Sequence, residues 1–138
     1  MAANHYMYMI LIMFISGLLS SMYIWAYQLS DIQLSINDFY MIFLMTGWMC
    51  FFMTLLNRDY LFTFISLTII IIILIGIRRQ LFVSKWQYFR GMIPHHSMAV
   101  LMSQRLLAND KSLKPTEKTF VENIIKTQKE EIEWMKSQ

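Results

Sequence analysis

Two adjacent histidines, His95 and His96, lie in a run rich in sulfur, Gly91-Met-Ile-Pro-His-His-Ser-Met-Ala-Val-Leu-Met102. Imidazole nitrogen and thioether sulfur are both metal donors, and together they form a soft to borderline set. Such a set favours copper first and zinc second. On a helix turning about 100° per residue, with His95 as zero, Met102 falls near −20°, Ala99 near +40° and Met98 near −60°. Met92 falls near +60° if the helix runs through Pro94, and His96 near +100°. Pro94 could instead open a helix. His95 and His96 would then occupy the first turn, where the positive helix end favours the neutral, metal-binding imidazole. The plainer alternative is a histidine pair that is solvated or hydrogen-bonded to a carboxylate, with Glu131 the nearest candidate.

That carboxylate belongs to a second amphipathic pattern. Val121, Ile124, Ile125, Gln128, Glu131, Ile132 and Met135 fall within about 60° of one line on a helical projection. Gln128 and Glu131 inside an apolar stripe call for partners, because an unpaired buried polar group costs about 1–3 kcal/mol. The elements that must position these groups are a helix over roughly Trp86 to Leu107, a turn at Asn109 to Ser112, and a helix from Pro115 to about Lys136. The small Ala99 lets the second helix approach closely. A hydrolytic zinc centre is not indicated, since no His-Glu-x-x-His arrangement is present.

The chain ahead of this hairpin is of another kind. Of the 12 Lys and Arg in 138 residues, only Arg58 precedes Arg78, while the chain as a whole is 57% hydrophobic. Residues 1–79 read as a three-span transmembrane anchor and residues 80–138 as a polar helical domain, the whole all-α. A bilayer core needs about 20 apolar helical residues. Three stretches supply them: about Tyr6 to Leu29, Phe39 to Leu56 and Tyr60 to Ile77. The first lacks the basic start and small-residue cleavage site of a signal peptide. Tyr6, Tyr8, Trp25, Tyr27, Tyr40 and Tyr60 near the span ends fit an interfacial belt.

Met41, Met45, Met49 and Met53 recur every four residues along the second span. They read either as a packing seam or as a line of thioethers able to pass Cu(I) along the bundle. The spans hold no paired Asp, Glu or Lys of the sort an ion pump needs. Cys50 has no cysteine partner in the chain. Phosphate loops, nucleophile–base pairs and basic-aromatic nucleic-acid surfaces are all absent from the sequence, so neither an enzyme nor a nucleic-acid binder is expected.

The segments Gly91 to Leu106 and Ile124 to Met135 resemble a known family, domain of unknown function 305. Its pattern is Met-x-Pro-His-His followed by a small residue and Met, then Gln-x-x-Glu-Ile-x-x-Met, met here by Gln128, Glu131, Ile132 and Met135. The resemblance extends upstream, since three-span members carry a methionine-rich second span. It implies a ferritin-like helical domain without assigned enzymatic activity, in which some members bind copper. By that resemblance the candidate ligands are Met92, His95, His96, Met98, Met102, Glu131 and Met135, with Gln128 as a hydrogen-bonding neighbour.

Orientation divides the two lines of reasoning. Arg78, Arg79, Lys85 and Arg90 against Arg58 place the C-terminal domain in the cytoplasm by the positive-inside rule. The resemblance implies the outside, because relatives carry a more basic loop before the third span, and the expectation follows the resemblance. Two functions are expected of such a chain. One is a membrane-bound copper protein that sequesters or relays the ion. The other is an assembly protein whose short hairpin, too small for a self-sufficient core, forms a homo-oligomer without metal.

Overall fold

The computed structural model describes residues 2–138, with side chains from Met7 onward, so the Tyr6 ring of the expected belt lies outside the described residues. Five α-helices follow one another: α1 Ala2–Leu19, α2 Ile36–Leu56, α3 Tyr60–Arg79, α4 Lys85–Asn109 and α5 Pro115–Lys136. Two short 3-10 turns, Met22–Trp25 and Leu29–Asp31, lie between α1 and α2. Among the described residues there is no strand, and the all-α class expected from the sequence is the class observed.

Three helical stretches are long and apolar enough to cross a membrane: Met7–Trp25, Ile36–Leu56 and Tyr60–Arg79. The first is shorter as a regular helix than its hydropathy suggests. α1 stops at Leu19, where Ser20 N–H turns back to the Gly17 carbonyl at 3.2 Å, and the chain continues in 3-10 turns.

The chain forms two compact units, residues 1–21 with 36–83, and residues 22–35 with 84–138. The boundary therefore differs from a simple cut at residue 79. Segment 22–35, read from sequence as the end of a span and the loop after it, packs with the C-terminal hairpin. The reason is polar: Tyr27 N–H donates to Ser97 Oγ at 2.8 Å, and Asp31 finds its partners there too.

In the first unit, α1, α2 and α3 pack through small residues. A Cβ on Gly17 would lie 2.9 Å from Ile42 Cγ2, and one on Gly47 would lie 3.0 Å from Ile70 Cγ1. Asp59 caps α3 by accepting from Phe62 N–H at 3.4 Å, and Thr63 Oγ1 donates to Thr54 Oγ1 at 3.0 Å across the α2–α3 turn. At the other end Gln80, in the left-handed region at φ 48°, closes α3 with its N–H to the Gly76 and Ile77 carbonyls.

The second unit is the α4–α5 hairpin with segment 22–35 on it. Ser84 Oγ accepts from Gln87 N–H at 3.3 Å to start α4. Pro115 opens α5, and Lys114 N–H donates to Glu117 Oε2 at 2.8 Å. Between them the Asp110 carboxylate accepts from Ser112 Oγ at 2.6 Å and Ser112 N–H at 2.8 Å, which holds its pKa below the ordinary value. The core of the hairpin is Phe89, Ile93 and Val100 from α4 against Ile132 and Met135 from α5, with Met92 and Ile125 packed on it. Phe89 meets Trp134 edge to face, ring centroids 5.6 Å apart.

A candidate metal centre on the hairpin

α4 runs unbroken from Lys85 to Asn109 with Pro94 inside it, so the histidines stand in mid-helix and not in a first turn. Pro94 brings no N–H for the carbonyl four residues before it, and its ring is fully buried. With the helix continuous, the projection decides which candidate ligands face α5. The buried residues Phe89, Val100, Ile93 and Ser97 project near +120°, +140°, +160° and +200° from His95, at about 100° per residue. His95 thus stands roughly opposite the packed face and is exposed, while His96 sits on its edge with a side chain 12% exposed.

The candidate residues therefore fall into two sets. Met92, His96, Glu131 and Met135 lie where α4 meets α5. His95, Met98 and Met102 lie on the other side of α4, with His95 exposed, Met98 half-buried and Met102 exposed. The imidazole rings of His95 and His96 have centroids 5.9 Å apart and are splayed at 65°. The expectation that all seven converge on one face is not what the geometry gives, because a tandem pair on a helix diverges by about 100°.

His96 is fixed from both ends. Its Nδ1 is 2.8 Å from the Met92 carbonyl oxygen, which can only accept, so Nδ1 carries a hydrogen. Its Nε2 is 2.8 Å from Glu131 Oε2. A neutral ring in that tautomer would aim a lone pair at a carboxylate oxygen. The arrangement therefore needs a cation between Nε2 and Oε2, a proton or a metal ion. An imidazole whose second nitrogen is tied to a backbone carbonyl is the usual posture of a metal-ligating histidine. Two donors 2.8 Å apart, each about 2.0 Å from an ion, would subtend about 90° there, as neighbouring ligands of one ion do.

Gln128 Nε2 donates to the same Glu131 Oε2 at 3.3 Å, which orients the carboxylate. Glu131 keeps 48% of its side chain open to water, so the pair is reachable by an ion. The antiparallel register that sets His96 against Glu131 sets Met92, four residues back, against Met135, four residues on. Met135 is buried in the hairpin core and Met92 packs on that core, so both thioethers lie about one turn from the His96–Glu131 pair. Among the described residues no three of His, Cys, Asp and Glu converge. An ion bridging His96 and Glu131 would take its further donors from the neighbouring thioethers or from water. The residues present fit a soft to borderline ion held by one imidazole, one carboxylate and neighbouring thioethers.

Beside this pair is a polar cluster that motif reading does not find. Ser97 Oγ accepts from Tyr27 N–H and donates to Asp31 Oδ2 at 2.5 Å. Asp31 is 2% exposed, and its Oδ1 pairs with Lys136 Nζ at 2.6 Å. The hydrogen bond to Asp31 raises the Lys136 pKa above the ordinary lysine value, with Glu133 adding to the effect. Lys129 Nζ stands 5.3 Å from the centre of the Tyr27 ring. The sequence carries one signal for this cluster: Asp31 is the only charged residue before Asp38. A single carboxylate in so apolar a stretch needs a buried partner.

An all-α chain with three helices fit to cross a membrane and a capped helical hairpin defines the class of the molecule. Residues 84–138, which are α4 and α5 with the Ser84 cap, match the family model "Domain of unknown function (DUF305)". A relative in Acanthamoeba polyphaga mimivirus, named "Uncharacterized protein L153", is 42% identical over 134 residues, spanning 94% of this chain and 87% of the viral protein. Through residues 84–138 the chain belongs to the DUF305 family. No solved structure matches it.

Proposed function

We propose that this chain is a membrane-anchored copper-binding protein, without catalytic activity, that sequesters or relays the ion at the bilayer surface. The three apolar helices cross the bilayer as a three-span anchor, and the hairpin, of ferritin-like type, works outside the cytoplasm. The observation that carries the reading is His96 Nε2 at 2.8 Å from Glu131 Oε2 with Nδ1 already committed to the Met92 carbonyl. His96 and Glu131 would hold the ion, Met92 and Met135 would supply soft donors, and Gln128 would keep the carboxylate in place. Bound copper would supply a positive charge that satisfies both facing lone pairs. Zinc fits the same nitrogen and oxygen donors less well once thioethers are included.

The test is metal analysis of the full chain purified in detergent without chelator or added metal, followed by Cu(II) titration read by electron paramagnetic resonance. One copper per chain with nitrogen coupling is expected, lost in the His96→Ala/Glu131→Gln double variant. A nitrogen-coupled signal unchanged by that variant would remove the site.

A second reading, oligomeric assembly without metal, is favoured by exposed apolar side chains on the hairpin. Met102 on α4, and Phe120 and Trp134 on α5, are each more than half exposed. A second copy covering them would complete a four-helix bundle. Crosslinking in native membranes with the chelator present tests it: dimers are expected, and monomer alone would count against the assembly.

A further inference from the structure

The methionine ladder of α2 does not face one way. Each four-residue step advances about 40° around a helix, so Met41 and Met53 are about 120° apart. Met41 and Met45 are about half exposed on the outside of the unit, at 51% and 49%. Met49 and Met53 instead turn onto α1, where they line a small cavity with Cys50, Met9, Met13 and Ile10. Met9 and Met13 are themselves one helical turn apart, and all five sulfur-bearing residues are partly buried. Four thioethers and a thiol from two helices thus surround a space of about 10 Å³. That is room for about one water-sized sphere, and too little for an organic molecule.

The chemistry of this lining is selective. It offers sulfur donors and no carboxylate, amide or imidazole, so hard cations gain nothing there. A monovalent soft ion is different. Four neutral thioethers could not neutralise its charge, and a net charge among apolar helices is costly. Cys50 supplies the missing negative charge, since a coordinating thiol is deprotonated outright. The complex is then neutral overall, as an apolar surrounding requires. Cys50 also lines a larger apolar cavity of about 330 Å³ reached past Phe62, Ile65 and Ile69.

We propose that Met9, Met13, Met49, Cys50 and Met53 form a second, intramembrane site for a soft monovalent metal ion, Cu(I) or Ag(I), held by sulfur alone. On binding, the Cys50 S–H bond breaks, an S–metal bond forms, and the proton leaves with water shed by the incoming ion. The metal keeps its oxidation state, so no oxidant or reductant is consumed. The site is independent of the hairpin pair and stands even if the hairpin binds nothing.

The test uses the full chain in lipid nanodiscs carrying His96→Ala and Glu131→Gln, titrated with Ag(I) under a competing thioether ligand. One Ag(I) per chain with a sulfur-only shell by X-ray absorption is expected. In the same background Cys50→Ser with Met13→Leu and Met49→Leu should weaken binding roughly tenfold or more, whereas Met41→Leu with Met45→Leu should leave it unchanged. Met→Leu conserves volume and apolarity and so preserves packing. If the triple variant loses helicity by circular dichroism, Met9→Leu with Met53→Leu makes the same comparison. Absence of a sulfur-bound ion in the parent, or equal losses from the two methionine pairs, would overturn the proposal.

Discussion

At the scale of single residues, the histidine pair divides its labour because a helix cannot aim consecutive side chains together. His96 faces Glu131 and is held at both nitrogens, while His95 is exposed and splayed away. His96→Ala is therefore expected to weaken copper binding by at least about 10–100-fold, the loss typical of removing even an outer-sphere partner. His95→Ala should change it far less. Isothermal titration of the two variants checks the asymmetry, and equal losses would mean that both rings share the ion. A second expectation concerns Asp31 and Lys136. Asp31→Ala removes the acceptor of the fully buried Ser97 hydroxyl and should destabilise the hairpin unit by about 1–3 kcal/mol in thermal melts. Because the folded pKa of Lys136 is raised above the ordinary value near 10.5, its contribution is complete below that pH and is lost as pH climbs through the raised value. The melting temperature of the parent should thus fall more steeply above pH 10.5 than that of Lys136→Met. The motif residues were legible in the sequence because their types are distinctive. Ser97 and Asp31 were not, since 66 residues separate them and no local pattern links them.

Elements explain why the helices were legible and one of their ends was not. The hairpin helices announce themselves by periodicity and caps, and both run within a few residues of the expected bounds. α1 ends at Leu19 although apolar residues continue toward Leu29, because hydropathy measures solubility in lipid and not hydrogen bonding. The Tyr27 N–H goes to Ser97 instead of closing another helical turn. The methionine ladder was visible as a spacing, but the 40° drift that separates its outer half from its inner half matters only once α1 is placed. The close approach of α1 to α2 rests on Gly17. A methyl group there would come within 2.9 Å of Cγ2 of Ile42, a β-branched residue 1% exposed that has little room to turn. Gly17→Ala is expected to push α1 outward, at a cost of about 1–3 kcal/mol. It should lower the thermal stability of the spans in nanodiscs, while the hairpin unit, followed by tryptophan fluorescence with Trp48→Phe in both proteins, melts as before. An unchanged transition would show that α1 does not lean on α2 at this point.

For the whole molecule, connectivity and hydrogen bonding make one joint demand. Segment 22–35 follows the first apolar helix and residues 84–138 follow the third, and the two pack as one unit through Asp31, Ser97 and Lys136. They must lie on the same side of any membrane the chain crosses. Three crossings satisfy this, because the two intervening passages of α2 and α3 cancel and put residues 57–59 on the far side. Two crossings by α1 and α2 with α3 lying flat would separate the Asp31 segment from the hairpin that neutralises it. Stranding a buried carboxylate from its cation would cost several kcal/mol, so the polar cluster and the three-span topology support each other. In a Cys50→Ser background, single cysteines at Leu29, which is 87% exposed, and at Lys111 are therefore expected to react with an impermeant maleimide from the same face of intact cells, and one at Asn57 only from the other. With the hairpin outside the cytoplasm, the first two react without permeabilisation and the third does not. Reversed labelling would put the hairpin in the cytoplasm, as the Arg and Lys count favours. Labelling of all three from one face would refute the three crossings themselves.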